Sequence, residues 1–330
     1  MNYTIWTTTG CNLQCEYCYE GEKSAEVMTM ETAGKAMEYI LAREEKKNEK
    51  VNIFFHGGEP FLNFPVIYYL VTELKKRLGQ RAAFAAATNG TVLSGSELEF
   101  AGTQIEGLSV SLDGDQKTHD AKRKDAWGNG SHKKALAAAK KLLTYNPNLR
   151  VRMTFDHKSV YRLAENVAFL AAEGFPCIVA NADFYDQNWS DEDIEALKEQ
   201  IKDVKGRFEK ENILISLLEP VHLYCKGDCS GGITGLHIFP NGTLYPCILA
   251  GGNPDFAVGT IETGIDLEKL DRILAHGKQR HPECGSCALA SGCDGARCMI
   301  MNRVVMGAWL SPIPIVCQMS RVLYEMNGVR

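Results

Sequence analysis

The sequence has no apolar run long enough to cross a membrane and no secretory signal at its start. A membrane span needs roughly 18 consecutive apolar residues, and every hydrophobic run in this chain is shorter. The first residues, MNYTIWTTTGCNLQC, lack the basic region and the apolar core that together mark a secreted protein. These absences predict a cytoplasmic protein that is not attached to a membrane.

The chain also has no excess of basic charge. Its 330 residues include 36 Lys and Arg against 41 Asp and Glu, so the formal net charge is −5. A nucleic-acid partner is therefore not expected, because such proteins usually carry a basic patch or stripe. Hydrophobic residues make up 45% and charged residues 23%, which excludes disordered and fibrous classes. The length suits one large domain, or a large domain with a small one.

Cysteine is missing from residues 19–176 and concentrated on both sides of that gap. Three of the 12 cysteines lie in the first 18 residues, and eight follow residue 224. In a reducing compartment, closely spaced thiols favour metal or cluster ligands over disulfides. Cys177, which stands alone in an apolar segment, is expected to pack inside a strand. The distribution predicts two separate functional units.

Six strand-like segments alternate with helical patterns in the first two thirds of the chain. This alternation is typical of βα units around a parallel sheet, whose active sites gather at the carboxyl ends of the strands. Six units are too few for a closed eight-stranded barrel, so we predict an α/β fold, a partial (β/α)6 TIM-like barrel. The expected strands are residues 3–8, 51–56, 82–88, 107–112, 149–155 and 177–183. The expected helices are residues 30–45, 65–78, 94–101, 132–145, 160–173 and 191–211.

Past residue 218 the pattern changes. Glycine-containing turns become frequent, helical patterns become short and cysteine becomes common. We therefore predict a barrel domain at residues 1–218 and a small cysteine-rich domain at residues 219–330.

The first three cysteines form a C-x3-C-x2-C loop directly after the first expected strand. Cys11, Cys15 and Cys18 could hold three irons of a [4Fe–4S] cluster, which leaves the fourth iron open for another ligand. Structural zinc usually takes four protein ligands, so a zinc site completed by His56 is the less favoured alternative.

This loop resembles that of the radical S-adenosylmethionine (SAM) enzymes, and the resemblance covers nearly the whole chain. In that family the open iron binds SAM, and one electron from the cluster cleaves it to a 5′-deoxyadenosyl radical that abstracts a substrate hydrogen. The resemblance implies that Tyr17 lies against the adenine. It also implies that Gly57, Gly58 and Glu59, which match the family's GGEP motif, bind the SAM amino group.

Further contacts with SAM or the substrate are expected at the ends of later strands. Alternation along the fourth strand puts Ser109, Ser111 and Asp113 on one face, toward the barrel interior. Arg123 ends a His-Asp-x-x-Arg stretch that resembles one in the peptide-modifying branch of the family. Asn89 and Arg152 are the remaining candidates for SAM or substrate contacts.

The later cysteines resemble the SPASM extension of the radical SAM enzymes, which carries two auxiliary [4Fe–4S] clusters. Four residues separate Cys293 from Cys298, where three are expected, and many relatives leave one iron of the first cluster open. Two structural zinc sites are the alternative. Together with the first loop, the resemblance implies three clusters. It assigns the first auxiliary cluster to Cys225, Cys229, Cys247 and Cys298, and the second to Cys284, Cys287, Cys293 and Cys317.

The resemblance points to a maturase that installs thioether or carbon–carbon cross-links in a ribosomally made peptide. Sulfatase-type maturation is an alternative, but that branch is expected to have an Asp as proton acceptor where this chain has Ile248. Oxidation of another substrate and a non-enzymatic electron-transfer role also stay open. Only ten residues precede Cys11, so a leader-recognition domain is expected to be absent. A separate recognition protein or direct binding in the barrel would then replace it, and a flavodoxin or ferredoxin would supply electrons.

The proton acceptor for the substrate is not marked by a motif. Asp183, Tyr185 and Asp186 follow the sixth expected strand and are candidates, although a solvated acidic loop is the favoured interpretation. Glu16 and Glu20, on either side of Cys18, are expected to face solvent.

Overall fold

The computed structural model describes residues 1–20, 25–44, 46–221 and 229–328. Within these residues nine strands form one sheet in the order β7-β6-β5-β4-β3-β2-β1-β8-β9, and a two-stranded hairpin, β10–β11, stands apart. All neighbouring strands of the large sheet are parallel except β8 and β9. The strands are β1 (Asn2–Thr8), β2 (Val51–Gly57), β3 (Ala82–Thr88), β4 (Gly107–Ser111), β5 (Arg150–Phe155), β6 (Cys177–Ala182), β7 (Leu214–Ile215), β8 (Gly235–Ile238), β9 (Leu244–Tyr245), β10 (Gly259–Thr260) and β11 (Gly264–Ile265).

The helices of the described residues fall into a barrel set and a C-terminal set. The barrel set is α1 (Met30–Glu44), α2 (Phe64–Leu78), α3 (Gly95–Gln104), α4 (Gln116–Lys122), α5 (His132–Tyr145), α6 (Leu163–Ala172) and α7 (Asp191–Phe208). The C-terminal set is α8 (Leu267–Ala275), α9 (Pro282–Gly285), α10 (Asp294–Arg297), α11 (Met299–Met306) and α12 (Pro314–Asn327). None of the described helices is both long enough and apolar enough to span a membrane.

The barrel wall follows from a two-residue alternation along each strand. In β5, Val151, Met153 and Phe155 are buried, whereas Arg150 and Arg152 are exposed on the opposite face. Successive side chains of a strand point to opposite faces, so the apolar row packs against the helices and the polar row lines the barrel interior. The interior is therefore open and polar at this strand.

The partial α/β barrel predicted from the sequence is confirmed. Each of the six expected strands is present with ends shifted by at most one residue, and each expected helix has a counterpart. The expected first helix includes Glu45, which lies outside the described residues. The helix α4 and the C-terminal helices were not predicted individually; most of them are short, although α8 and α12 each present an apolar face.

The sheet continues beyond residue 218, where we placed the domain boundary. Strand β8 pairs in parallel with β1, opposite Ile5 and its neighbours. The Trp6 ring packs on Phe239 at 5.0 Å between ring centroids. A Cβ on Gly251 would lie 2.9 Å from the Trp6 ring, so only glycine allows this approach. The C-terminal region is thus joined to the barrel at its first strand, and the boundary at residue 218 stays a prediction.

Candidate functional site

The first cysteine loop leaves β1 at the carboxyl edge of the sheet. Cys11, Cys15 and Cys18 are half-buried there and form no disulfide. Nitrogen atoms approach two of their sulfurs: Nδ2 of Asn89 lies 3.8 Å from Cys11 Sγ, and Nη1 of Arg123 lies 3.9 Å from Cys15 Sγ. Burial raises the pKa of the Cys15 thiol, while the Arg123 charge opposes that shift. Donors of this kind stabilise a thiolate ligand.

The cysteine spacing distinguishes a single ion from a cluster. Four thiolates around one tetrahedral zinc ion lie about 3.8 Å apart, given a Zn–S distance of about 2.3 Å. Every set of three cysteine sulfurs in the described residues contains at least one pair separated by more than 4.8 Å. A cluster in which each thiolate binds a different iron needs this wider spacing. The donor set therefore fits an iron–sulfur cluster better than mononuclear zinc.

A buried network fastens the first cysteine loop to the end of β4. The Asp113 carboxylate, only 1% exposed, accepts from Arg123 Nε at 2.8 Å and Nη2 at 3.2 Å. It also accepts from the Thr154 backbone N–H at 2.9 Å and from the Tyr17 hydroxyl. These four bonds use all the acceptor positions of a carboxylate. Asp113 and Tyr17 thus hold the loop through their side chains, and the contacts expected between them and SAM stay predictions.

Arg123 is the centre of this network. Its guanidinium lies over the Tyr17 ring at 5.1 Å from the centroid, while it pairs with Asp113 and approaches Cys15. Its backbone carbonyl accepts from Ser131 Oγ, which also bonds His119 Nε2 at 3.0 Å. The His-Asp-x-x-Arg stretch therefore links α4 to the cysteine loop.

The two glycines after β2 are required by backbone contacts within the protein. Gly57 has φ +136°, and a Cβ there would lie 1.9 Å from the Thr8 carbonyl oxygen. A Cβ on Gly58 would lie 2.3 Å from the Gly10 carbonyl oxygen. Gly58 and Glu59 donate their N–H groups to Thr8 and Gly10. The contact expected between these residues and the SAM amino group stays a prediction.

Glu59 ties the ends of β2 and β3 together. Its side chain is buried, with Oε1 accepting from Thr88 Oγ1 at 2.8 Å and from Phe61 N at 3.2 Å. Its Oε2 accepts from Asn89 N at 2.7 Å. Burial raises the pKa of Glu59 to about 7, against the hydrogen bonds that lower it. Asn89, held in this way, bonds Asn12 of the cysteine loop at 2.9 Å.

The other expected contact residues lie on the inner wall. Ser109 is buried and donates to the Ala86 carbonyl at 3.2 Å, so its hydroxyl joins β4 to β3. Ser111 is half-buried and pairs in register with Arg152 of β5. Arg152 projects into the interior of the barrel. Burial lowers the pKa of its guanidinium, and the Tyr19 phenol partly opposes that shift. Ser111 and Arg152 are thus accessible from inside the barrel.

Tyr185, which follows β6, interacts electrostatically with cysteines of two groups. Burial raises its pKa, and the charges of Asp183, Cys18 and Cys247 raise it further. The phenol is therefore within electrostatic range of the first cysteine loop and of a cysteine in the C-terminal region. Asp183 accepts from Tyr185 N at 2.9 Å, and burial raises its pKa as well.

Asp186, unlike Asp183, is paired with a histidine side chain. Its Oδ2 lies 2.6 Å from His157 Nδ1, and hydrogen bonds from His157 and Asn188 hold its pKa below the usual range, although burial opposes them. Its carboxylate is therefore committed to the neighbouring loop. The favoured interpretation of 183–186 as a solvated loop holds only in part: Asp183 and Tyr185 are partly exposed, whereas the Asp186 side chain is nearly covered.

Three residues of the site, Tyr19, Glu20 and His56, make a contact that the sequence did not indicate. The Tyr19 hydroxyl lies 2.5 Å from His56 Nε2, and a Glu20 carboxylate oxygen lies 3.5 Å from the same nitrogen. The Glu20 side chain is only 8% exposed, so the expectation that it faces solvent is wrong, whereas Glu16 does face solvent. Alternation along β2 could have placed His56 inside the barrel. Nothing in the sequence marks the burial of Glu20.

The later cysteines gather into two groups. Burial raises the pKa of Cys247 to about 12, and the nearby thiols of Cys298 and Cys229 add to that shift. In the second group, burial raises the pKa values of Cys284 and Cys317, with contributions from neighbouring thiols of the same group. Buried thiolates need compensating positive charge, which iron would supply. The second group is Cys284, Cys287, Cys293 and Cys317.

The two groups have the same membership as the interleaved ligand sets implied by the resemblance, except that Cys225 lies outside the described residues. Cys177 is outside both groups. It is half-buried on the inner side of β6, in register with Arg150, and burial raises its pKa. It lines the interior instead of packing under the helices.

Residues 5–158 match the model of the Radical SAM superfamily, so this part of the chain is similar to that superfamily of enzymes. Among curated proteins, the chain is 29% identical to an uncharacterized protein of Methanocaldococcus jannaschii over 172 residues, which are 52% of this chain and 58% of that protein. It is 34% identical to a serine-type anaerobic sulfatase-maturating enzyme of Bacteroides thetaiotaomicron over 136 residues, which are 38% of this chain and 32% of that enzyme. The chain thus spans less than two thirds of both relatives.

Solved structures show the same fold over nearly the whole chain. The structure of anSMEcpe with bound AdoMet and the Cp18Cys peptide matches with a TM-score of 0.80 and 18% identity, over 99% of this chain and 96% of that one. Streptococcus suis SuiB bound to its precursor peptide SuiA matches with a TM-score of 0.70 and 18% identity, over 96% of this chain and 75% of that one. At these identities the likeness concerns the fold alone.

Proposed function

We propose that this chain is a radical SAM enzyme that oxidatively cross-links a ribosomally synthesised peptide through a thioether or carbon–carbon bond. The cofactors would be SAM and three [4Fe–4S] clusters, which supply the radical that abstracts a substrate hydrogen and the route by which an electron leaves. The chain's own residues then bind these groups, orient the peptide and take up the proton. The thiols must stay reduced, so the proposal places the protein in the cytoplasm.

The cysteine groups are proposed as the cluster ligands. Cys11, Cys15 and Cys18 would hold the SAM-binding cluster, and the two C-terminal groups would hold the auxiliary clusters within a domain of residues 219–330. Cys225 is proposed as the fourth ligand of the first auxiliary cluster. The residues proposed to contact SAM are Tyr17, Gly57, Gly58, Glu59, Asn89, Ser109, Ser111, Asp113, Arg123 and Arg152.

The observation that carries the proposal is the position of Tyr185. The charges of Cys18 and of Cys247 both raise the pKa of its phenol, so one side chain interacts with two separate cysteine groups. An oxidation that begins with hydrogen abstraction has to lose one further electron and one proton. A substrate held beside Tyr185 would lie near a group that starts the reaction and a group that accepts the electron.

Asp183 is proposed as the proton acceptor. Its carboxylate follows β6 at the barrel mouth, and burial together with the charges of Asp186 and Asp156 raises its pKa. A base is most effective when its pKa approaches the working pH. Asp186 is less suited, because its carboxylate is paired with His157.

A peptide substrate is supported by what two similar structures contain. The anSMEcpe structure has a bound peptide, and SuiB is bound to the precursor peptide SuiA. Arg152 is exposed on the interior face of β5, where a peptide segment would bind. A separate leader-recognition protein is proposed as a further partner.

Formylglycine formation of the sulfatase-maturase type is the second candidate. The curated relatives that are sulfatase-maturating enzymes favour it. The residue after Cys247 disfavours it, because Ile248 has no group that could accept a proton.

Mass spectrometry of the products separates the two candidates. Cluster-loaded protein is incubated without oxygen with SAM, reductant and either short peptides encoded beside its gene or a sulfatase peptide with Cys or Ser. A gene-neighbour peptide that loses two hydrogens, carries no aldehyde and resists fragmentation between two residues supports the cross-linking proposal. An aldehyde in the sulfatase peptide, with the other peptides unchanged, rejects it. The variant Asp183→Asn should lower turnover by about 10²–10⁴-fold while SAM cleavage persists.

A further inference from the structure

A short antiparallel segment covers the outer side of the first cysteine loop. Leu13 forms a bridge with Asp125, and Gln14 N donates to the Lys124 carbonyl at 2.7 Å. The chain then turns back, so that Lys124 bridges Gly130. We call residues 124–130 the tip loop. Because Gln14 directly precedes Cys15, one hydrogen bond and one peptide link separate the tip loop from a proposed cluster ligand.

The tip loop presents an aromatic ring to solvent on an ordered backbone. Trp127 is 85% exposed, the largest value among the large hydrophobic residues that the structure describes. Asp125 Oδ1 accepts from Trp127 N at 3.0 Å and from Asn129 N at 2.8 Å. Its Oδ2 accepts from Asn129 Nδ2 at 3.0 Å. A rigidly held, exposed tryptophan is typical of binding hot spots and contributes nothing to the core.

The sequence around the tip loop is rich in basic residues although the whole chain is acidic. Residues 117–141 include eight Lys or Arg and only two Asp, whereas the chain's formal charge is −5. Four of these cations have ion-pair partners: Arg123 pairs with Asp113, Lys122 and Lys124 pair with Glu16, and Lys140 pairs with Glu173. Lys133 and Lys134 are exposed at the start of α5, and Lys134 acts electrostatically on Asp125.

We propose that the tip loop, with Lys124, Lys133 and Lys134, is the docking surface for an acidic one-electron carrier protein, a flavodoxin or ferredoxin. The inference rests on the proposed function, because the electron must reach the cluster held by Cys11, Cys15 and Cys18. A positive surface steers an acidic partner toward it, and the exposed ring provides an apolar anchor. A peptide substrate would instead bind at the interior face, where Tyr19 and Arg152 lie.

Direct binding tests the surface without relying on turnover. Cluster-loaded protein is titrated without oxygen with a recombinant acidic flavodoxin and, separately, with an acidic [4Fe–4S] ferredoxin, using calorimetry and tryptophan fluorescence. Trp127→Ala and the pair Lys133→Glu and Lys134→Glu should each weaken carrier binding by at least about tenfold. Matched changes elsewhere, Tyr68→Ala on α2 and Lys202→Glu on α7, should change it by less than about twofold, since both residues are exposed and lie on helices other than α4 and α5, which flank the tip loop.

The outcomes separate this inference from the proposed function. With dithionite in place of the carrier, Trp127→Ala should cleave SAM at the wild-type rate, because a small reductant needs no docking surface. Binding of both carriers that is unchanged in the variants, or absent in the wild type, overturns the inference while leaving radical chemistry intact. It is also overturned if Trp127→Ala weakens only peptide binding. If the wild-type protein binds the carrier but never cleaves SAM with dithionite, the proposed function is contradicted. The inference that the tip loop is a docking surface is not contradicted by that result.

Discussion

Removing Arg123 should destabilise the whole protein, because it would leave a buried carboxylate without its partner. Asp113 is 1% exposed and receives two of its four hydrogen bonds from Arg123. Breaking a buried ion pair by deleting one member typically costs about 3–5 kcal/mol, and we expect a loss in that range for Arg123→Ala. The matched control is Arg162→Ala, whose partner Asp115 is partly exposed, so the loss should stay within about 1 kcal/mol.

The assay is urea unfolding of the metal-free, reduced protein, followed by circular dichroism and by tryptophan fluorescence. Asp113→Ala should cost a similar amount, and the double variant should cost less than the sum of the two single changes, because the residues act on each other directly. A free energy of unfolding for Arg123→Ala that falls within about 1 kcal/mol of the Arg162→Ala value would refute the reasoning. It would mean that water or other groups replace the guanidinium.

Three further predictions concern a pH dependence, a backbone contact and a cluster. The pKa of Glu59 is raised by burial to about 7 from its ordinary value of 4.5, so the folded protein binds more protons than the unfolded chain between these values. The free energy of unfolding should therefore fall as pH rises from about 4.5 to 7, and Glu59→Gln should flatten that slope in urea titrations. Gly58→Ala should abolish SAM binding in equilibrium dialysis, since its Cβ would lie 2.3 Å from a backbone oxygen, whereas Gly206→Ala on α7 has open space and should bind normally. Changing both Cys284 and Cys287 to Ala should remove about four irons per chain by colorimetric assay and leave the rest; an unchanged iron content would argue against a cluster there.

The fold was readable from the sequence because its signals are local. Two-residue alternation in β2 and β5 separates the face under the helices from the interior, and the helical period marks α2 and α5. The C-terminal helices have four to fourteen residues and lie among turns and cysteines, so they were not predicted individually, although α8 and α12 each present an apolar face. The continuation of the sheet through β8 depends on pairing with a strand more than 200 residues earlier, which no local pattern encodes.

The candidate site was readable only where a motif carries it. The C-x3-C-x2-C loop and the glycines after β2 stand out by type and spacing. The partners of Asp113 cannot be identified in this way. Tyr17 lies 96 residues away in the sequence, and only the folded chain brings its hydroxyl to the Asp113 carboxylate. The burial of Glu20 depends in the same way on His56, from another strand. Charged side chains were expected at the surface, and tertiary contacts override that expectation here.

Formation of 5′-deoxyadenosine tests the central claim most directly. Protein reconstituted with iron and sulfide is incubated without oxygen with SAM and dithionite, and the nucleoside is measured by liquid chromatography and mass spectrometry. The account predicts 5′-deoxyadenosine from the wild type and none from a variant in which Cys11, Cys15 and Cys18 are changed to Ala, while that variant keeps about eight irons in its auxiliary clusters. A wild-type protein that carries its full iron content and releases no 5′-deoxyadenosine would contradict the account.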